Sequence, residues 1–210
     1  MAEKKYIRQP FFFLWMIYFL MGVSLLFLYS KKELFLKLNA YHSKGLDSFF
    51  ALFTELGNGL FSVAVFVLAV IFRKISLAVQ IITAYLFSGL LVQILKRIFK
   101  MPRPKAFFGP GEYAWFIDGV THGGSNSFPS GHTASAFALA TILSLYSKSK
   151  YAGILYFLLA AAVGYSRVYL GQHFFTDVFA GAVIGVIAAL LVWIFLRNKD
   201  FNKILQRSKT

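Results

Sequence analysis

The sequence predicts an all-α integral membrane bundle of six transmembrane helices, and three observations carry that prediction. Residues 11–30 (FFFLWMIYFLMGVSLLFLYS) and 75–95 (ISLAVQIITAYLFSGLLVQIL) are uncharged runs of spanning length, because a helix needs about 20 apolar residues to cross the hydrocarbon core. Hydrophobic residues make up 58% of the chain and charged residues 14%, which excludes an ordinary soluble domain. Polar segments divide the remainder into four further apolar stretches.

The elements follow in order. The first run comes after Lys4, Lys5 and Arg8 and ends in Ser30-Lys31-Lys32. It lacks a small-x-small cleavage site, so it reads as an uncleaved span rather than a signal peptide. Segment 31–48 is polar and mixed, suited to the membrane surface. A second apolar stretch covers about 49–72, interrupted by Glu55 and Gly57-Asn58-Gly59 and closed by Arg73 and Lys74. The third span follows directly, and then the longest polar segment, 96–128, rich in proline. Spans at about 131–147, 151–166 and 176–196 complete the set, and the tail is short and basic. No linker or repeat divides the chain, so residues 1–210 read as one membrane-embedded domain with its core at about 11–196. Gly181 and Gly185 have the spacing that lets helices approach closely, expected here to serve packing within the chain.

Six spans put both termini on one side. That side holds 12 of the 22 Lys and Arg residues. Three of the remainder are assigned below to chemistry, and the bias then favours cytoplasmic termini. The formal net charge of +14 fits either membrane-surface anchoring or anionic partners, and charge alone does not separate the two. With no cysteine, disulfides, thiol nucleophiles and Cys-based metal sites are excluded.

Three polar clusters fall on the opposite, outward side. The first is Lys96…Arg103-Pro104, at the end of the third span. The second is Pro129-Ser130-Gly131-His132, before the fourth. The third is Ser166-Arg167…His173…Asp177, between the last two. Ionisable groups beside lipid are usually kept for function, and this inventory suits a tetrahedral dianion. Arginine grips two phosphate oxygens at once, and lysine adds a point charge. Ser130 can cap the fourth helix, whose free N–H groups and dipole favour an anion, and Gly131 allows close backbone approach. His173 and Asp177 are four apart and meet if a helix begins near them. The carboxylate then fixes one ring nitrogen and leaves the other free to attack. His132 is the candidate general acid for the departing oxygen.

These clusters resemble the signature of the type 2 phosphatidic acid phosphatase (PAP2-like) family, K-x6-R-P, P-S-G-H and S-R-x5-H-x3-D, with no departure in residue or spacing. The resemblance covers nearly the whole chain. It implies a metal-independent lipid phosphatase with no cofactor, working through a phosphohistidine. It makes His173 the nucleophile, Asp177 its orienter and His132 the acid and then base, with Lys96, Arg103, Ser130, Gly131 and Arg167 on the phosphoryl oxygens. The expected partners are membrane lipids and a lipid phosphate or diphosphate substrate, not nucleic acid. Candidate substrates are undecaprenyl diphosphate, phosphatidylglycerol phosphate, phosphatidic acid and lipid A.

A lipid-to-lipid phosphotransferase using the same site and a non-catalytic phospholipid binder are the competing readings. The vanadate-dependent haloperoxidases share the anion signature but not the spans. A compact chain of this kind suits a bacterial inner membrane with the site facing the periplasm or exterior. His42 and His122 lie outside the signature. Glu55 is expected at a helix break, where it lines a headgroup pocket if it has a functional role. The aromatic loop 106–127 is expected to form an interfacial belt rather than a lid.

Overall fold

The computed structural model describes residues 10–199 and Phe201, so Lys4, Lys5, Arg8 and the tail residues Lys203, Arg207 and Lys209 lie outside the described residues. Among the described residues every regular element is helical. They are α1 (Pro10–Leu28), α2 (Lys31–Leu38), α3 (Lys44–Phe53), a 3-10 turn (Thr54–Gly57), α4 (Gly59–Ile71), α5 (Ile75–Phe99), the short α6 (Pro104–Phe107), α7 (Gly131–Tyr146), α8 (Lys150–Tyr169) and α9 (Phe175–Leu196).

Local chemistry sets the boundaries. Ser30 and Glu33 form a reciprocal capping box at the start of α2, satisfying two N–H groups that the helix leaves open. Ser43, Asn58 and Ser149 cap α3, α4 and α8. The polar segment expected at the surface is thus two short helices, α2 and the start of α3. The predicted second span is not straight. It bends by 53° between Lys44–Gly57 and Gly59–Ile71, at the Glu55 and Gly57-Asn58-Gly59 interruption.

Four helical runs are long and apolar enough to cross a membrane: Pro10–Leu28, Ile75–Phe107, Lys150–Tyr169 and Phe175–Leu196. The bent pair makes a fifth if counted as one span. The predicted fourth span, α7, falls short with 16 residues, or roughly 24 Å at 1.5 Å per residue. Its surroundings explain this. Twelve of its residues are buried, and α5, α8 and α9 pack around it. The helix at the centre of the bundle faces protein rather than lipid.

Small residues make that centre possible. A Cβ at Gly181 would stand 2.5 Å from the Ser130 carbonyl oxygen, and one at Gly185 would collide with that of Ala134. The Gly181–Gly185 pair therefore packs α9 onto α7 within the chain. Phe137 and Phe157 join α7 and α8 to α1 through Phe11, and Ala138, Ile142, Ala84 and Ala189 join α7 to α5 and α9.

Candidate active site

The three polar clusters meet at one end of the bundle. Lys96 lies in the last turn of α5, and Arg103 just before α6. Ser130 caps α7, accepting from the Thr133 N–H at 3.4 Å and the Thr133 hydroxyl at 2.9 Å, and its own N–H donates to the Asp177 carbonyl at 2.9 Å. That bond ties the start of α7 to the first turn of α9. A Cβ at Gly131 would meet only Val92 Cγ1, at 3.8 Å, so its outer face is open. The charges of Arg167, Arg103 and Lys96 all bear on the His132 imidazole, and that of Asp177 bears on Lys96 and Arg103.

His173 is buried in the loop before α9 rather than on the helix, and Asp177 sits in the first turn of α9. Their contact is the one the four-residue spacing predicts: His173 Nδ1 lies 3.4 Å from Asp177 Oδ2. The same oxygen accepts the Phe174 N–H at 3.0 Å and the Ser127 hydroxyl at 2.5 Å, and Ser127 Oγ also stands 3.4 Å from His173 Nδ1. Burial pushes the His173 imidazole down to about 4 from its usual 6.5, although Asp177 pulls the other way. The ring is therefore held neutral.

The two arginines are oriented by neutral groups. Arg103 Nη1 donates to Gln172 Oε1 at 2.8 Å, and Arg167 Nη1 to Thr54 Oγ1 at 2.9 Å. Arg167 is buried, and its Nε has no hydrogen-bond partner among the described residues. A buried guanidinium N–H left unpaired is unfavourable unless something else takes it. Lys96 Nζ donates to the Asn126 carbonyl. With neutral partners on all three cations, their charge remains directed at an incoming anion.

Sequence reasoning does not find Ser127, Thr54 or Gln172, whose bonds to Asp177, Arg167 and Arg103 span 50, 113 and 69 residues of the chain. A local signal existed for Ser127, a hydroxyl in the approach to Pro129-Ser130-Gly131-His132, and for Gln172, directly before His173, but not for Thr54. His122 is exposed. His42 belongs to a separate buried cluster. Its Nδ1 faces Asp47 Oδ1 at 3.1 Å, its Nε2 meets the Tyr113 hydroxyl at 3.0 Å, and its ring stacks on Tyr169 and Trp115.

The aromatic loop departs from the belt expectation. Phe108, Tyr113 and Phe116 pack inward against Phe35, Val168 and Phe174, while Phe107 and Trp115 stay exposed. Further ties hold the loop down: Lys32 to Glu112 at 2.7 Å, Thr121 Oγ1 to the Leu170 carbonyl at 2.8 Å, and Gln172 to Val120. It is fastened over the turn that carries His173. An apolar groove of about 170 Å³ runs between α4, α7 and α8, lined by Leu56, Phe61, Leu139, Tyr156 and Val163.

The family model described as PAP2 superfamily matches residues 77–201. The chain is 32% identical over 169 residues to a lipid A 4'-phosphatase of Porphyromonas gingivalis, covering 78% of this chain and 71% of that protein. Matches to two further curated relatives are shorter, spanning 36% and 16% of their lengths. The crystal structure of Aquifex aeolicus LpxE superposes with a TM-score of 0.69 at 36% identity, covering 77% of this chain and 93% of that one. A transmembrane PAP2-type phosphatidylglycerolphosphate phosphatase from Bacillus subtilis gives a TM-score of 0.67 at 26% identity, covering 88% and 95%. With more than half its length matched by the family model, and a fold shared with both solved structures, the chain belongs to the PAP2 superfamily.

Proposed function

We propose that this chain is a single-domain membrane phosphatase that hydrolyses a phosphate monoester or diphosphate on a lipid. The observation that carries the reading is a buried, neutral His173 held by the Asp177 carboxylate and facing three cations whose bonded partners are all uncharged. With Nδ1 turned to Asp177, Nε2 of His173 attacks phosphorus. The P–O bond to the leaving group breaks, the lipid alcohol in a monoester or the lipid monophosphate in a diphosphate, and His132 gives its proton to the departing oxygen. His132 then takes a proton from water, whose oxygen attacks phosphorus. The P–N bond breaks, and inorganic phosphate and the original imidazole result. Lys96, Arg103, Arg167, the Ser130 hydroxyl and the Gly131 backbone hold the charge on the phosphoryl oxygens through both steps. Arg167 Nε supplies one of those contacts.

The lipid reading draws on the setting. The groove between α4, α7 and α8 gives a hydrocarbon chain an apolar berth beside the site, and the relatives described above are named for lipid A and phosphatidylglycerolphosphate. The shielded α7 completes six crossings, with cytoplasmic termini and the site on the outer face of a bacterial inner membrane.

The test is phosphate release by detergent-purified protein in EDTA, from undecaprenyl diphosphate, phosphatidylglycerol phosphate, phosphatidic acid and lipid A. Because protein cations meet the phosphoryl charge, turnover is expected to persist in chelator. His173→Ala is expected to release no phosphate from any of the four. Undiminished release by the variant overturns the mechanism, and a phosphorylated lipid product in place of free phosphate makes the enzyme a transferase.

A further inference from the structure

The bend between α3 and α4 lies where the site meets the apolar groove, and none of its residues belongs to the three motifs. Its 3-10 turn sends four successive side chains or backbone units to four neighbours. Thr54 accepts the hydrogen bond from Arg167. Leu56 lines the groove. Gly57 lies against α7, where a Cβ would come 2.8 Å from the His132 carbonyl oxygen and 2.6 Å from Val163 Cγ1. Glu55 is left exposed on the open side.

The Glu55 carboxylate is not used up by the fold. Asn58 Nδ2 donates to one of its oxygens at 2.8 Å, which anchors the side chain at the bend. Its charge reaches the Arg167 guanidinium, yet Arg167 bonds to Thr54, and the ion pairs within 4 Å among the described residues do not include Glu55 with Arg167. A phosphoryl group held by Arg167, with its ester oxygen toward His132, has its alcohol portion passing this turn before the hydrocarbon reaches Leu56. Glu55 stands beside that path. A carboxylate only accepts hydrogen bonds, and its charged acceptor bonds are the stronger kind. It therefore favours a neighbour bearing O–H or N–H and repels a further phosphate.

We propose that Glu55 is a specificity-determining residue that accepts a hydrogen bond from a hydroxyl or amide N–H next to the phosphate-bearing carbon of the substrate's alcohol. The preferred substrates are then phosphate monoesters on glycerol or sugar headgroups that carry such a donor, ahead of donor-free monoesters and of diphosphates. The proposal rests on the phosphatase reading above. It adds a direction to it, because a site arranged to bond a substrate hydroxyl discriminates against the analogue that lacks one.

The experiment compares kcat/KM of purified wild type, Glu55→Ala and Glu55→Gln. Phosphatidylglycerol phosphate and lipid A provide the donor-bearing substrates, and phosphatidic acid and undecaprenyl diphosphate the donor-free ones. Glu55→Ala is expected to lose about tenfold on the first pair, as for one charge-assisted hydrogen bond, and to stay within about twofold on phosphatidic acid by the same logic. On undecaprenyl diphosphate it is expected to hold or gain. Glu55→Gln keeps the shape and an acceptor for Asn58, and monodisperse elution is the check that its fold is intact. Equal losses on all four substrates in a well-folded Glu55→Gln, or no change on any of them, overturn the proposal. Failure of the underlying mechanism shows separately, as turnover that survives in His173→Ala.

Discussion

At the residue scale the site is organised around one oxygen. Asp177 Oδ2 takes the Phe174 N–H and the Ser127 hydroxyl and faces His173 Nδ1, so the carboxylate has one rotamer and the imidazole one tautomer to present. Burial keeps that imidazole neutral down to about 4, and the neutral ring is the nucleophilic form. The acid limb of kcat/KM is therefore expected to fall near pH 4 rather than near 6.5, read from a pH profile on a single lipid phosphate. The same shift has a sign for stability. Between pH 6.5 and 4 the unfolded chain protonates this histidine and the folded chain does not, so stability falls as the pH drops through that window.

Residues that were legible in the sequence share a property: their chemistry is carried by short-range spacing. Lys96 with Arg103, Ser130 with His132, and Arg167 with His173 and Asp177 each lie within one turn or loop of their cluster. Thr54 and Gln172, which orient the two arginines, were not legible. Gln172 lies beside His173, but nothing local names Arg103 as its partner, and both roles exist only because the bend after α3 and the turn before α9 are brought against the arginines by the fold. The inward packing of Phe108, Tyr113 and Phe116 was equally hidden. Aromatic composition alone does not say which way a ring faces.

At the scale of elements, helix limits in the sequence were readable from apolar length, except where protein replaces lipid. α7 is the case in point: its Ala-rich, Ser- and Thr-bearing sequence is suited to close packing among α5, α8 and α9. Gly181 and Gly185 are the counterpart on α9. Gly185→Ala forces a methyl against the Ala134 carbonyl and to within 3.0 Å of Phe137 Cβ. A destabilisation of about 1–3 kcal/mol is expected from such overpacking, seen as a lowered Tm in detergent. Gly45→Ala is the control. A Cβ there meets nothing within 4 Å and the position lies on α3, so Tm is expected to hold or rise slightly.

For the whole molecule the decisive fact is polarity. Lys96, Arg103, His132, Arg167 and His173 gather at one end of the bundle, and Arg73, Lys74, Lys148 and Lys150 lie at the turns of the other. The absence of cysteine makes the orientation directly measurable. Ser125→Cys, exposed near the site, is expected to react with an impermeant maleimide on intact cells. Lys148→Cys, exposed at the opposite end, is expected to react only after permeabilisation. The reverse pattern places the chemistry on the cytoplasmic side.

The burial of α7 also bears on how the molecule comes into being. Too short to span the bilayer unaided and lined with hydroxyls, this helix gains little from lipid as a solvent. It is secured by neighbours on either side in sequence, α5 before it and α8 and α9 after it, so α9 is the last of the four to leave the ribosome. The backbone bond from Ser130 to Asp177 and the Ser127–Asp177–His173 contacts form only when α9 docks. Docking of that helix thus completes the packing of α7 and the candidate site together. A chain stalled before that point crosses the membrane several times without the means to touch a phosphate.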